Sequence, residues 1–118
     1  MQKNSGLKRI IFAVGYSLQG LKSAFKHEAA FRQELLLAFF LIPLACYLDV
    51  SQIERILLIA SIIVVLIIEI INSAIEAVVD RISDEHHELA GRAKDLGSAA
   101  VMVAIFLSLY IWIEILFL

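Results

Sequence analysis

Three apolar runs alternate with polar connections along this chain. Residues 35–48, 56–68 and 99–113 hold no charged side chain. A membrane-spanning helix needs roughly 20 mainly apolar residues, so each run must extend into a flanking segment. The pattern predicts three transmembrane helices over about residues 29–48, 52–71 and 99–116. The second helix is expected to continue beyond the membrane to about residue 82.

Residues 6–25 carry a different, amphipathic pattern. Apolar residues recur there at helical spacing, and lysine, arginine and glutamine occupy positions between them. The segment is too polar to cross a bilayer, and a basic amphipathic helix is typical of the membrane interface. We therefore expect an interfacial helix with its basic face toward anionic headgroups. A soluble helix packed on other helices is the alternative.

The connection between the first two spans contains a helix-start signal. Ser51 precedes Glu54 by three residues, the spacing at which each side chain can accept a hydrogen bond from the other's backbone N–H. This capping box predicts that the second helix begins at about residue 52. It favours a structural role for the pair over a catalytic one.

The composition agrees with an integral membrane protein that forms one domain, residues 1–118. The chain is 61% hydrophobic, with a mean hydropathy of +0.88, whereas soluble domains are about 45–50% apolar. A net charge of -2 provides no basic field for a nucleic acid. The single cysteine, Cys46, cannot form an internal disulfide and is expected to be a buried small hydrophobe.

The distribution of basic residues predicts the orientation of the chain in the membrane. Six lysine and arginine residues precede position 35, three lie between positions 80 and 98, and the connection 49–55 holds only Arg55. Basic residues accumulate on the cytoplasmic side. The N-terminus and the second connection are therefore expected in the cytoplasm, and three spans place the C-terminus outside.

A polar stripe follows the apolar run 56–68. Glu69, Asn72, Glu76 and Asp80 are three, four and four residues apart, which places them on one face of a helix. A carboxylate at or inside the membrane boundary is costly and is usually retained for function. We therefore expect the chemistry of the protein on this stripe, at the cytoplasmic interface.

The stripe and its expected neighbours suit phosphate chemistry. Carboxylate and amide oxygens are ligands for Mg²⁺, which usually binds together with substrate phosphates. Glu28 and Glu76 are expected at similar depth, beside the segment of Lys94, whose ammonium would neutralise phosphate charge. Glu69 lies deeper, where the hydroxyl of a lipid would sit, and is the candidate general base. These residues permit metal-assisted phosphoryl transfer to an amphiphile.

Two other features leave alternatives open. His86 and His87 are adjacent and point to different helix faces, and no second His or Cys pair accompanies them, which argues against a zinc site. Lys94 and Asp95 form either a local ion pair or a phosphate contact. Small residues across positions 91–100 would allow two helices to approach closely.

Three segments of the chain stand out as motifs: EAAFRQE at residues 28–34, EIINSAIEAVVD at residues 69–80 and HELAGRAKDLGSAA at residues 87–100. With these segments, the sequence closely resembles the small prokaryotic diacylglycerol kinases. The middle segment matches the family signature throughout, and the resemblance covers nearly the whole chain. It implies a homotrimer of three-span subunits, each with an N-terminal interfacial helix, and active sites between neighbouring subunits.

The resemblance also implies an activity and a location. The activity is phosphorylation of diacylglycerol to phosphatidic acid by ATP and Mg²⁺, in lipid recycling and phospholipid metabolism. The location is the bacterial inner membrane, with a cytoplasmic N-terminus and a periplasmic C-terminus. Diacylglycerol, ATP and membrane lipids are the implied partners, with no nucleic acid among them.

Site residues are carried over by motif position. Glu69 is the implied proton acceptor, with Asn72 as a further catalytic residue. Glu28 and Glu76 are the implied metal ligands. The implied ATP contacts are Arg9, Tyr16, Glu28, Glu76, Glu85, His86, His87, Lys94 and Asp95. The implied lipid contacts are Ala30, Phe31, Arg32, Gln33, Glu34, Tyr47, Leu48, Asp49, Val50, Arg55, Glu69 and Ser98.

Three alternatives remain, a sister enzyme of the same family and two proteins of other classes. Undecaprenol kinase shares the signature of residues 69–80, although residues 31–34 and 46–49 resemble the diacylglycerol branch more. A small multidrug transporter of this length would need four spans and no protruding acidic stripe. A purely structural membrane protein would not retain Glu69, Asn72, Glu76 and Asp80 on one face.

Overall fold

The computed structural model describes residues 5–82 and 87–118, and these residues form helices without any strand. Four helices follow one another along the chain. They are α1 (Gly6–His27), α2 (Ala29–Tyr47), α3 (Gln52–Ile82) and α4 (Glu88–Phe117). Within the described residues, α2, α3 and α4 are each long and apolar enough to cross a membrane. The predicted all-α membrane fold is confirmed.

Glu28 forms a break between α1 and α2. Its backbone is extended, with φ −114° and ψ 105°, and its N–H donates to the carbonyl of Ala24 at 2.9 Å. The Arg32 guanidinium, one turn into α2, donates to the carbonyls of Phe25 at 2.8 Å and Lys26 at 3.1 Å. Arg32 thus satisfies the last carbonyls of α1, which have no partner inside that helix.

The turn between α2 and α3 is held by local hydrogen bonds. The Ser51 N–H donates to Glu54 Oε1 at 2.9 Å, and the Glu54 N–H donates to Ser51 Oγ at 3.1 Å. The predicted capping box is therefore confirmed. Arg55 donates from Nε to the Ala45 carbonyl at 3.1 Å and from Nη2 to the Leu48 carbonyl at 3.0 Å, so it caps the end of α2.

Helix α3 is the centre of the bundle and contacts the other three helices. Its buried apolar side chains include Leu58, Ile62 and Val65. Two polar links join it to α4 at membrane depth. Ser61 Oγ lies 3.1 Å from Ser108 Oγ, and the Trp112 indole N–H donates to the Leu58 carbonyl at 3.2 Å. Such hydrogen bonds help to hold helices together where lipid offers no hydrophobic driving force.

Most large apolar side chains of α1, α2 and α4 face outward from the single chain. Cys46 belongs to this outward-facing set, so the expectation that it is buried is wrong for the chain by itself. Outward apolar side chains are the normal state for helices whose solvent is lipid. The bundle therefore buries few residues, and the small set that it does bury includes one carboxylate, on Glu69.

Candidate active site

Glu69 lies near the middle of α3 and is only 5% exposed. The apolar spacing of α3 directs this face of the helix toward α2 and α4, so the carboxylate turns inward with Leu58 and Val65. Its backbone carbonyl accepts a hydrogen bond from the Ser73 hydroxyl at 3.0 Å. A carboxylate in such a position needs a partner or a function, because burying a charge is costly.

Three further carboxylates act electrostatically on Glu69. They belong to Glu34 on α2, Glu28 at the break between α1 and α2, and Glu76 on α3. All three are half-buried. The fold therefore concentrates negative charge from three parts of the chain around one buried group. Like charges at close range favour the uptake of a proton or of a cation.

Asn72 and Glu76 form a bonded pair one turn further along α3. Asn72 Nδ2 donates to Glu76 Oε1 at 3.2 Å. The other face of the Asn72 amide lies against Gly97 on α4, where Asn72 Oδ1 is buried and has no hydrogen-bond partner among the described residues. The amide thus holds one oxygen of the Glu76 carboxylate, and this bond does not use the other oxygen, Oε2.

Asp80 and Lys94 form an ion pair between α3 and α4. The distance from Lys94 Nζ to Asp80 Oδ1 is 2.6 Å, and the two side chains are 43% and 64% exposed. The sequence left two interpretations of Lys94, an ion pair with Asp95 or a contact with phosphate. In the structure Lys94 pairs with Asp80, one turn beyond Glu76. This pair holds the lysine on the same side of the bundle as the acidic cluster, which we define as Glu28, Glu34, Glu69 and Glu76.

The donor set fits a metal ion that arrives with its substrate. No three His, Cys, Asp or Glu side chains in residues 5–82 and 87–118 come close enough to hold a metal by themselves. Mg²⁺ commonly uses one or two carboxylates and takes its other ligands from phosphates and water. Glu28 and Glu76 supply two such carboxylates near Glu69. Two carboxylates of this kind are compatible with a Mg²⁺ ion whose other ligands are phosphate and water oxygens.

Two cavities lie between the helices, and Glu34 lines one of them. One, of about 130 Å³, lies between α2, α3 and α4 and is lined by Glu34, Ser108 and apolar side chains such as Leu37 and Val65. The other, of about 340 Å³, lies between the end of α3 and the start of α4, with His87 and Val79 among its lining residues. The first reaches into the membrane-depth part of the bundle, and the second lies beyond Asp80.

The structure places the expected site residues of α4 and of the range 30–34 in different surroundings. His87 is the N-cap of α4, where its Nδ1 accepts from the Leu89 N–H at 3.0 Å. Asp95 and Ser98 are exposed on the first turns of α4, Ala30 and Gln33 are exposed on α2, and Phe31 is buried. Glu85 and His86 lie outside the described residues.

Some expected site residues lie far from the acidic cluster within one chain. Arg55 precedes Glu69 by 14 residues on α3, about 21 Å along the axis. Residues 47–50 lie at the same end as Arg55. Tyr16 and Arg9 lie 12 and 19 residues before Glu28 on α1, about 18 and 28 Å along that helix. A single chain does not bring these residues to Glu69.

Gly97 is a neighbour of the site that was not among the candidate residues. It is buried and packs against the Asn72 amide. The small-residue stretch 91–100 predicted a close approach of helices, but it could not indicate which of its members makes the contact. Gly91, in the same stretch, has open space where a Cβ would be.

The chain is similar to a known kinase family over most of its length. A family model described as prokaryotic diacylglycerol kinase matches residues 15–116. The diacylglycerol kinase of Haemophilus influenzae is 54% identical over 117 residues, which cover 99% of each chain. Those of Escherichia coli K12 and Pseudomonas aeruginosa are 56% and 55% identical, over 92% and 95% of this chain and 88% and 91% of their own.

Proposed function

The chain belongs to the prokaryotic diacylglycerol kinase family, and we propose that it phosphorylates diacylglycerol with ATP. The products are phosphatidic acid and ADP. One structural observation supports this proposal in addition to the family membership. The buried carboxylate of Glu69 lies among Glu28, Glu34 and Glu76, and Glu34 also lines an apolar cavity. This arrangement suits a substrate with a reactive hydroxyl at the head of an apolar tail.

Glu69 is the proposed proton acceptor. Its carboxylate takes the proton from the free hydroxyl of diacylglycerol as that oxygen bonds to the γ-phosphorus of ATP. The bond between the γ-phosphorus and the β,γ-bridging oxygen breaks, and ADP leaves with the electron pair. Burial of Glu69 excludes water, which would otherwise compete with the lipid hydroxyl for the phosphoryl group.

Glu28 and Glu76 are the proposed ligands of Mg²⁺ carried by ATP. When bound, this ion would neutralise phosphate charge and orient the nucleotide for transfer. The two carboxylates belong to different parts of the chain, both charges act on Glu69, and Asn72 holds Oε1 of Glu76 by a hydrogen bond. The like charges around Glu69 repel one another, and a bound cation would reduce this repulsion before the reaction.

Lys94 and Asp95 are proposed to contact ATP, together with His87, Glu85 and His86. Lys94 Nζ lies 2.6 Å from Asp80 Oδ1. If the ammonium moves from this carboxylate to a phosphate of ATP, it has an anionic partner both before and after nucleotide binding. The cavity of about 340 Å³ beside His87 is the proposed position of the base, because its apolar lining suits a planar ring.

We propose that the lipid lies against α2 and α3. Residues 30–34, Tyr47, Leu48, Asp49, Val50, Arg55 and Ser98 are the proposed contacts. Residues 30–34 and Ser98 lie on the side of the bundle that holds the acidic cluster. Residues 47–50 and Arg55 lie at the opposite end. A long acyl chain that runs the length of the bundle could touch both groups.

A homotrimer with sites between subunits accounts for the distant residues. Arg9 and Tyr16 cannot reach Glu28 along α1 in one chain, since the helix separates them by about 18–28 Å. A neighbouring subunit could bring its own α1 to the site. We further propose an inner-membrane location with a cytoplasmic N-terminus and a periplasmic C-terminus, because nine of the ten basic residues lie outside the connection 49–55.

Phosphate transfer from labelled ATP tests the function. Diacylglycerol and undecaprenol are offered side by side in detergent–lipid micelles, with and without Mg²⁺. We expect Mg²⁺-dependent labelling of diacylglycerol. Labelling of undecaprenol alone would keep the mechanism and change the substrate, and labelling of neither by a verified oligomer would contradict the proposal.

Mixing of inactive subunits tests the shared site. Subunits with Glu69→Gln and subunits with Arg9→Ala are unfolded, mixed and reassembled. If each site draws Arg9 and Glu69 from different subunits, some mixed sites regain both residues and activity returns. A mixture as inactive as the two pure variants would contradict the proposed contribution of a neighbouring α1.

A further inference from the structure

We propose that Gly97 is a positioning residue of the kinase site, which acts through Asn72 on Glu76. The absence of a side chain at position 97 lets the Asn72 amide pack on α4 in the one orientation that donates to Glu76. This inference rests on the proposed role of Glu76 as a metal ligand. Gly97 itself touches neither substrate nor metal in the proposal.

The packing at Gly97 leaves no room for a side chain. A Cβ built on Gly97 would overlap Asn72 Oδ1 and would lie 3.2 Å from Asn72 Cγ and 3.8 Å from Asn72 Cβ. All three of these nearest atoms belong to the Asn72 side chain. The conflict is therefore with the amide of Asn72 and not with the backbone of α3.

The orientation of the Asn72 amide follows from its two neighbours. Nδ2 must face Glu76, because only the NH₂ group can donate to the carboxylate oxygen at 3.2 Å. Oδ1 then faces Gly97, where it is buried with no hydrogen-bond partner among the described residues. A glycine Cα carries two hydrogens that can make weak C–H···O contacts with such an oxygen. An alanine would replace one of these hydrogens with a methyl group.

The requirement for glycine is specific to position 97 on this helix. Gly91, two turns earlier on α4, has no atom within 4 Å of the position that a Cβ would take. Both residues are helical, so an alanine would change intrinsic helix propensity by the same amount at either position. A comparison of the two substitutions therefore isolates the contact with Asn72.

The expected effect of Gly97→Ala is on the metal-bound nucleotide rather than on the lipid. The methyl group forces the amide to rotate, and Glu76 loses its donor. Loss of a partner that orients a metal ligand typically lowers metal affinity by about 10–100-fold. We expect the Mg²⁺ concentration for half-maximal activity to rise by about this factor, while the KM for diacylglycerol changes by less than about twofold.

Thermal unfolding supplies a readout that is independent of turnover. Mg²⁺ with a non-hydrolysable ATP analogue should raise the Tm of the wild-type protein and of Gly91→Ala by similar amounts. For Gly97→Ala, the concentration of the Mg–analogue complex that gives half of this rise should increase about 10–100-fold. An unchanged concentration would overturn the inference.

A double-mutant cycle separates the amide contact from general packing. In an Asn72→Ala background the overlap is absent, so Gly97→Ala should have no further effect on Mg–analogue binding. Equal effects of Gly97→Ala in both backgrounds would overturn the inference. If Gly97→Ala does not fold, the double variant should fold. Failure of the double variant as well would show that Gly97 is needed by the backbone and would also overturn it.

Glu76→Gln distinguishes this inference from the proposed function. If Glu76→Gln leaves the Mg²⁺ requirement unchanged, the proposed metal ligand is wrong, whatever Gly97→Ala does. If Glu76→Gln raises the requirement and Gly97→Ala does not, only the role of Gly97 fails.

Discussion

The start of α3 and the region around Glu69 near its middle carry charged residues in opposite circumstances. At its start, Glu54 binds the Ser51 N–H and Arg55 binds the carbonyls of Ala45 and Leu48. Around Glu69, by contrast, the charges that act on the buried carboxylate belong to Glu34, Glu28 and Glu76. At the start of α3 the charged side chains bond to neighbouring backbone groups, whereas charges of one sign surround Glu69.

This difference distinguishes charged residues that stabilise the fold from charged residues that are candidates for ligand binding. Charged groups that complete the hydrogen bonds of a helix end contribute to folding, because orphan carbonyls and N–H groups are costly in a medium without water. Carboxylates that lie close together repel one another, and binding of a proton or a cation reduces this repulsion. This contrast supports the proposal that the region around Glu69 binds the ligand.

Glu69→Gln should give the largest loss. The amide keeps the size of the side chain but cannot accept the proton of the lipid hydroxyl, so kcat should fall about 10²–10⁴-fold, the usual contribution of a general base. Labelled-ATP transfer to diacylglycerol measures this. Glu54→Gln, the same exchange at the start of α3, is the matched control and should retain near-normal turnover. Near-normal activity of a folded Glu69→Gln variant would remove Glu69 from the base role.

Glu76→Gln and Glu28→Gln should change the response to Mg²⁺. Each substitution removes the negative charge of a proposed ligand, so the Mg²⁺ concentration for half-maximal activity should rise at least about tenfold. A titration of Mg²⁺ at saturating ATP and diacylglycerol measures it. The same titration with Glu114→Gln, an exposed residue near the end of α4, is the control. An unchanged metal dependence would count against both ligands.

Arg55→Ala should reduce stability more than activity. Hydrogen bonds made by charged groups are worth about 1.5–3 kcal/mol, and Arg55 makes two with the end of α2. We expect the free energy of unfolding to fall by at least about this amount, and the KM for diacylglycerol to rise only modestly, because Arg55 is one of many proposed lipid contacts. An unchanged KM would remove Arg55 from the lipid contacts and leave its capping role, and unchanged stability would contradict the capping role.

Ser51→Ala should give the smallest effect. It removes the hydroxyl that accepts from the Glu54 N–H, and loss of an N-cap side chain typically costs about 1 kcal/mol. Unfolding in a denaturing detergent titration measures the change, and Ser51→Thr should recover most of the stability. Loss of turnover in Ser51→Ala without loss of stability would place this turn in the active site. It would then contradict the contrast between the start of α3 and the region around Glu69.

The sequence alone determined the features that depend on spacing along one chain. Apolar runs predicted the three membrane helices, the Ser51–Glu54 spacing predicted the cap that the hydrogen bonds confirm, and helical periodicity placed Glu69, Asn72, Glu76 and Asp80 on one stripe. Each of these follows from the 3.6-residue repeat and from local hydrogen bonds, which need no other helix.

Only the tertiary structure decided the partners of the polar side chains. Lys94 pairs with Asp80 and not with its neighbour Asp95, Arg32 binds the end of α1, and Gly97 makes room for Asn72. These choices depend on the relative register of helices, and a shift by one residue would rotate each side chain by about 100°. Packing across α3 and α4 sets that register, and the sequence of either helix alone does not contain it.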